Sequence, residues 1–159
     1  MFAALLYWTG LSGLGWTGAI LVLIVGGYFD ALDGAMARRY AKVSKFGGVL
    51  DSVLDRIGEI AIYAGLLAGG LVPLWVGLWA LSAALMVSYV RARVSVEGVN
   101  LKGVGIAERP ERLLILLVAT ILWPLSSSIM WAGVLLIAFL SSITVMARVY
   151  RASRVLSGA

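Results

Sequence analysis

Apolar residues dominate long stretches of this chain and leave no polar face of the kind a water-soluble helix keeps. Five such stretches, 16–39, 44–69, 71–96, 108–123 and 127–151, read as helices crossing a bilayer. A crossing takes roughly 20 mostly apolar residues at about 1.5 Å each. A shorter apolar piece, 1–8, precedes the turn-like run 9–15. As helix it reaches about 12 Å, against about 30 Å for the hydrocarbon core. The parity of crossings still asks for a helix there. Six spans are therefore expected, with the first helix truncated by about 15–30 residues. Breaks fall at Gly69-Gly70, in the stretch 98–105 and at Pro124, where glycine entropy or proline geometry disfavours helix. The expected architecture is an all-α integral membrane bundle of six transmembrane helices, one domain over 1–159. The 108–123 span is its shortest and needs its polar start in the interface.

Composition sharpens this picture. The chain is 62% hydrophobic and 13% charged, with a mean hydropathy of +1.00, whereas soluble domains carry about 25% charged residues. Disorder and water-soluble folds are excluded. There is no Cys and no His, which removes disulfides, thiolate nucleophiles, Cys/His zinc sites, the Ser-His-Asp triad and an imidazole base. Catalysis here must rest on carboxylates, cations, hydroxyls or a hard metal held by oxygen. The 13 Lys and Arg residues outnumber the 8 acids, for a net charge of +5. They form three clusters, Arg38 to Arg56, Arg91 to Arg112 and Arg148 to Arg154, and the connections 9–15, 69–73 and 124–128 carry none. Alternate crossings put the three clusters on one face, which the positive-inside rule makes cytoplasmic.

Ordinary topology explains the cations but not Asp30, Asp33, Asp51 and Asp55, which lie inside or at the edges of apolar helices. An ionised group there costs several kcal/mol unless it is paired or metal-bound. Asp30 and Asp33 share one helix face at i and i+3, and Asp51 and Asp55 share another at i and i+4. The short connection 39–44 makes the two helices antiparallel neighbours, so both pairs reach one depth. Four converging carboxylates repel, and either some are protonated or divalent cations bridge them. Oxygen-only ligands suit Mg²⁺ or Mn²⁺, and two such ions could clamp a pyrophosphate. Gly34 and Gly47 leave room for a ligand near the backbone, and Arg38 offers a cation to phosphate oxygens.

The segment Asp30-x₂-Asp33-Gly34-x₂-Ala37-Arg38-x₈-Gly47-x₃-Asp51-x₃-Asp55 resembles the signature of the CDP-alcohol phosphotransferases, with every fixed position filled. The resemblance implies a six-helix membrane enzyme, usually a homodimer, that displaces CMP from a CDP-linked donor with an alcohol and uses Mg²⁺ or Mn²⁺. It implies that Asp30, Asp33, Asp51 and Asp55 bind the metal ions, and that Asp55 is a ligand, the general base, or both. It also implies nucleotide contacts from Asp30, Asp33, Gly34, Arg38 and Gly47. The expected location is a prokaryotic cell membrane with the site facing the cytoplasm.

The other basic clusters address the acceptor. Arginines beside an acidic metal site suit an acceptor that itself carries a phosphate, because guanidinium matches phosphate bidentately. Residues 88–93 and 105–112 resemble the branch of phosphatidylinositol-phosphate and archaetidylinositol-phosphate synthases. That resemblance implies that Arg91, Arg93, Arg112 and Arg148 hold the phosphate of inositol 1-phosphate. The donor is then CDP-diacylglycerol or CDP-archaeol, drawn from membrane lipids, and no nucleic acid is involved. Arg151 and Arg154 are equally well read as facing anionic head groups. Glycerol 3-phosphate is the rival acceptor. A divalent-cation transporter and an inactive scaffold are the readings from other classes.

Overall fold

The computed structural model describes residues 2–9, 14–40, 45–101 and 103–158, except the side chains at 2, 3, 8, 14, 29–40 and 45. Among the described residues the chain is all helix and short connection, with no strand. The helices are α1 (Phe2–Trp8), α2 (Leu14–Tyr40), α3 (Lys45–Ala68), α4 (Leu74–Val96), α5 (Arg109–Leu122) and α6 (Ser128–Leu156), with a 3₁₀ turn at Trp123–Leu125 before α6. A helix lies over each apolar stretch, the breaks at Gly69-Gly70 and 98–105 fall between helices, and Pro124 sits in the 3₁₀ turn. Leu74–Val96 and Ser128–Leu156 are long and apolar enough to cross a membrane. α5, at 14 residues, rises only about 21 Å.

Local chemistry sets the boundaries. α3 ends where Gly70 takes φ +65°, letting Gly70 and Leu71 donate to the carbonyls of Leu67 and Leu66 in a Schellman-type close. Pro73 caps α4. Pro110 lies in the first turn of α5, where its missing N–H would have no partner in any case.

α4 and α6 form the most extensive helix pair. Val76, Ala80, Ala84 and Val87 on α4 and Met130, Val134, Ile137 and Ala138 on α6 are buried at helical spacing, and the small residues let the backbones approach closely. α1 seats on α3 through Gly65 and Gly69, where any Cβ would strike the Ala4 and Tyr7 backbone. The Tyr7 hydroxyl hydrogen-bonds to Thr120 Oγ1 at 2.6 Å, and Trp16 Nε1 donates to the Thr120 carbonyl at 2.6 Å. These bonds fasten α1 and α2 to the C-terminal end of α5.

The short connection 39–44 predicts that α2 and α3 are antiparallel neighbours, and the stretch 29–40 that would meet α3 beside that connection has its side chains outside the described residues. α1 contacts both helices, α2 also rests on α5, and α3 rests on α4. α2 and α3 face each other across a cavity. Their outer sides, like those of α4 and α6, carry large exposed apolar residues such as Phe46, Leu54, Ile57, Trp75, Trp79, Phe139 and Met146. Exposure on that scale suits a lipid surround.

Candidate active site

The α3 stripe Asp51, Asp55, Glu59 repeats at i, i+4 and i+8, so one helix face carries three carboxylates from its exposed start toward its buried middle. Asp51 is exposed and Asp55 half-buried, while Glu59 is buried at 8% exposure. Each inner acid meets arginine. Arg109 Nη1, at the start of α5, lies 2.5 Å from Asp55 Oδ1, and Arg56 Nη2 lies 3.5 Å from Asp55 Oδ2. Arg56 also donates to Ser88 Oγ on α4. Deeper in, Arg112 donates to Glu59 Oε1 through Nε at 2.9 Å and Nη2 at 2.7 Å, and its Nη1 donates to the Ala107 carbonyl at 2.8 Å.

Arg148, 1% exposed, ties three segments together. Nη1 donates to the Val87 carbonyl on α4 at 2.7 Å, Nε to the Val104 carbonyl at 2.8 Å, and Nη2 to Glu108 Oε1 at 2.7 Å. Ion pairs and hydrogen bonds thus draw the start of α3, the end of α4, the start of α5 and the end of α6 to one place.

These side chains border an open cleft of about 740 Å³, lined by Ser52, Asp55, Arg56, Ser88, Arg91, Glu108, Arg109, Arg112 and Arg148 among others. A second, mainly apolar chamber of about 180 Å³ lies beside it between α2, α3 and α5, lined by Leu23, Gly26, Gly27, Gly58, Ile62 and Leu113 as well as Glu59, Arg109 and Arg112. The two cavities meet at Arg109 and Arg112. Arginines line the first, and apolar side chains line most of the second.

Of the expected site residues, the structure brings Asp55, Arg91, Arg112 and Arg148 to the cleft. Asp51 stands one turn before Asp55, and Gly47 one turn before Asp51. Arg93 does not line the cleft. It turns to Glu97, with Nη1 at 2.5 Å from Oε1, because two positions along a helix from Arg91 is the opposite face. Arg112 and Arg148 have protein partners on each guanidinium nitrogen, so they act as framework as well as cleft lining. Asp30, Asp33, Gly34 and Arg38 lie on α2, and their side chains fall outside the described residues. Among the described residues no three acids cluster closely enough to hold a metal ion. The oxygen-only donor set on α3, in a chain without Cys or His, fits a hard divalent cation.

Sequence reasoning passed over Glu59, Arg56, Glu108 and Arg109 as site residues. The stripe of acids at 51, 55 and 59 signalled Glu59. The arginine partners come from other helices, which no local spacing could reveal.

The family model of the CDP-alcohol phosphatidyltransferases matches residues 1–144. The chain belongs to that family. Among this transferase's relatives is the archaetidylinositol phosphate synthase of Pyrococcus horikoshii, 44% identical over 134 residues that make up 84% of this chain and 69% of that protein. The archaetidylinositol phosphate synthase of Methanothermobacter thermautotrophicus is 50% identical over 105 residues, 66% of this chain and 53% of that one. The chain therefore spans only about half to two-thirds of these relatives' length. Among solved structures, the phosphatidylinositol phosphate synthase of Mycobacterium tuberculosis with CDP-DAG bound superposes with a TM-score of 0.79 at 31% identity, covering 95% of this chain and 79% of that one. The same enzyme in complex with manganese and citrate gives a TM-score of 0.78 at 31% identity, covering 94% and 75%. Family membership and the two long apolar helices make this phosphatidyltransferase a membrane-associated protein.

Proposed function

We propose that this phosphatidyltransferase moves the lipid phosphate of CDP-archaeol or CDP-diacylglycerol onto inositol 1-phosphate and releases CMP. The observation that carries this reading is the cleft itself: Arg56, Arg91, Arg109, Arg112 and Arg148 gather around Asp55, next to a chamber lined largely by apolar residues. A phosphorylated, water-borne acceptor suits the first cavity and a lipid-borne diphosphate the boundary between them. The inositol phosphate synthases among the relatives favour this acceptor over glycerol 3-phosphate.

The working unit in this reading is a homodimer of six-span bundles, each formed by 1–159 as one domain, in a prokaryotic cell membrane with the cleft open to the cytoplasm. Asp30, Asp33, Asp51 and Asp55 would hold Mg²⁺ or Mn²⁺, two ions in the full site, with Gly34, Arg38 and Gly47 against the nucleotide. Bound divalent ions supply neutralising charge to the diphosphate. The acceptor hydroxyl oxygen bonds to the lipid-bearing phosphorus as the bond from that phosphorus to the CMP oxygen breaks, and Asp55 takes the hydroxyl proton. The arginines hold the acceptor phosphate so that this hydroxyl faces the phosphorus.

An acceptor panel tests the proposal: inositol 1-phosphate, inositol, glycerol 3-phosphate and serine, each offered with CDP-archaeol and with CDP-diacylglycerol while CMP is measured. Release with inositol 1-phosphate that stops on chelation is expected. Release with glycerol 3-phosphate alone, or metal flux into liposomes without CMP, would overturn it. Arg91 offers a finer check, since it is exposed at the cleft wall. Arg91→Ala should raise the acceptor KM about tenfold or more, as expected for losing a charge-assisted hydrogen bond. The donor KM should stay within about twofold. Equal rises in both would refute the role.

A further inference from the structure

Residues 104–107, just before α5, are seated by contacts that the reading above leaves unused. Thr144 on α6 is fully buried. Its hydroxyl donates to the Leu140 carbonyl at 2.8 Å, which is ordinary for threonine in an apolar helix. The same Oγ1 also accepts the N–H groups of Ile106 at 3.2 Å and Ala107 at 3.1 Å. The Thr144 methyl lies where a Cβ at Gly105 would have to go, and Gly105 has φ +115°, a conformation that only glycine adopts readily. One helical turn on, Arg148 Nε holds the Val104 carbonyl, while Arg112 Nη1 holds the Ala107 carbonyl from the other side. The next residues, Glu108, Arg109 and Arg112, enter the cleft. Thr144 itself lines neither cavity.

We propose that Thr144 is a positioning residue for acceptor binding: by accepting two successive loop amides, its hydroxyl fixes where Arg109 and Arg112 meet the acceptor phosphate. The inference rests on the arginine-lined cleft being the acceptor site. Valine at this position keeps the shape and leaves the buried Ala107 amide and the part-buried Ile106 amide without this acceptor, whereas serine keeps the oxygen. Small misplacements of groups that orient a substrate cost binding and rate steeply.

The test compares the wild-type full chain in nanodiscs with Thr144→Val and Thr144→Ser. The valine protein should show an acceptor KM raised about tenfold, with the donor KM within about twofold. Serine should return the acceptor KM to within about threefold of wild type. Hydrogen exchange at Ile106 and Ala107 should be slow in the wild type and the serine protein, and fast in the valine protein. A folded valine protein with an unchanged acceptor KM, both KM values rising together, or no rescue by serine would overturn the proposal. If the valine protein does not fold, Gly105→Ala, which pushes against the Thr144 methyl, must give the same KM split, and an unchanged acceptor KM overturns the role. If the wild type releases no CMP with any phosphorylated acceptor, the proposed function fails on its own. The clamp is then judged by exchange alone, and protection surviving in Thr144→Val overturns it.

Discussion

An Asp51→Asn protein should lose CMP release by about a thousandfold or more, the scale of removing a major source of transition-state charge stabilisation. Asparagine keeps the size and one oxygen of aspartate but removes the charge a divalent ion requires. Asp51 is exposed on α3, so the exchange should move stability by no more than about 0.5 kcal/mol. Taking one carboxylate out of an acidic group also relieves repulsion in the metal-free protein. Its thermal midpoint without metal should therefore hold or rise. Catalysis is lost and the fold is kept. Near-normal turnover in the mutant would remove Asp51 from the metal-binding set and, with it, the reading of the acidic quartet.

Glu59→Leu should be strongly destabilising. Arg112, 3% exposed, places two of its donors on Glu59 Oε1, so losing the carboxylate leaves a buried cation unpaired. Breaking such a pair from one side costs about 3–5 kcal/mol, while replacing both partners with well-packed apolar residues is often neutral. The double change Glu59→Leu with Arg112→Met should recover most of that loss. It should still bind acceptor poorly, because Arg112 also lines the cleft. Denaturation of the two single mutants, the double mutant and the wild type gives the coupling directly. Single changes that leave the midpoint where it was would show that the pair adds nothing to stability.

The helices could be read from the chain because lipid removes the need for a polar face, so runs of apolar residues end only where Gly69-Gly70, the 98–105 stretch or Pro124 stop them. Asp51 and Asp55 on α3 could be singled out as well, since their spacing is local and carboxylates in an apolar run call for a reason, whereas Glu59, the buried acid one turn deeper, was passed over. What spacing could not supply was who meets whom. The short connection after α2 suggests adjacency with α3, but nothing local shows that two glycines late in α3 seat α1 as well. Arg93 looks equivalent to Arg91 in sequence but points the other way and pairs with Glu97. Arg112 reads as a ligand for phosphate and proves also to be half of a buried ion pair. Thr144 carries no sequence signal beyond a hydroxyl in an apolar run; its second role exists only because a distant loop lies on it.

Arg109 and Arg112 border the cationic cleft on one side and the apolar chamber on the other. The two spaces thus share a wall about one side chain thick. An amphiphile can set its greasy portion against one side of that wall and its charged portion against the other without moving either.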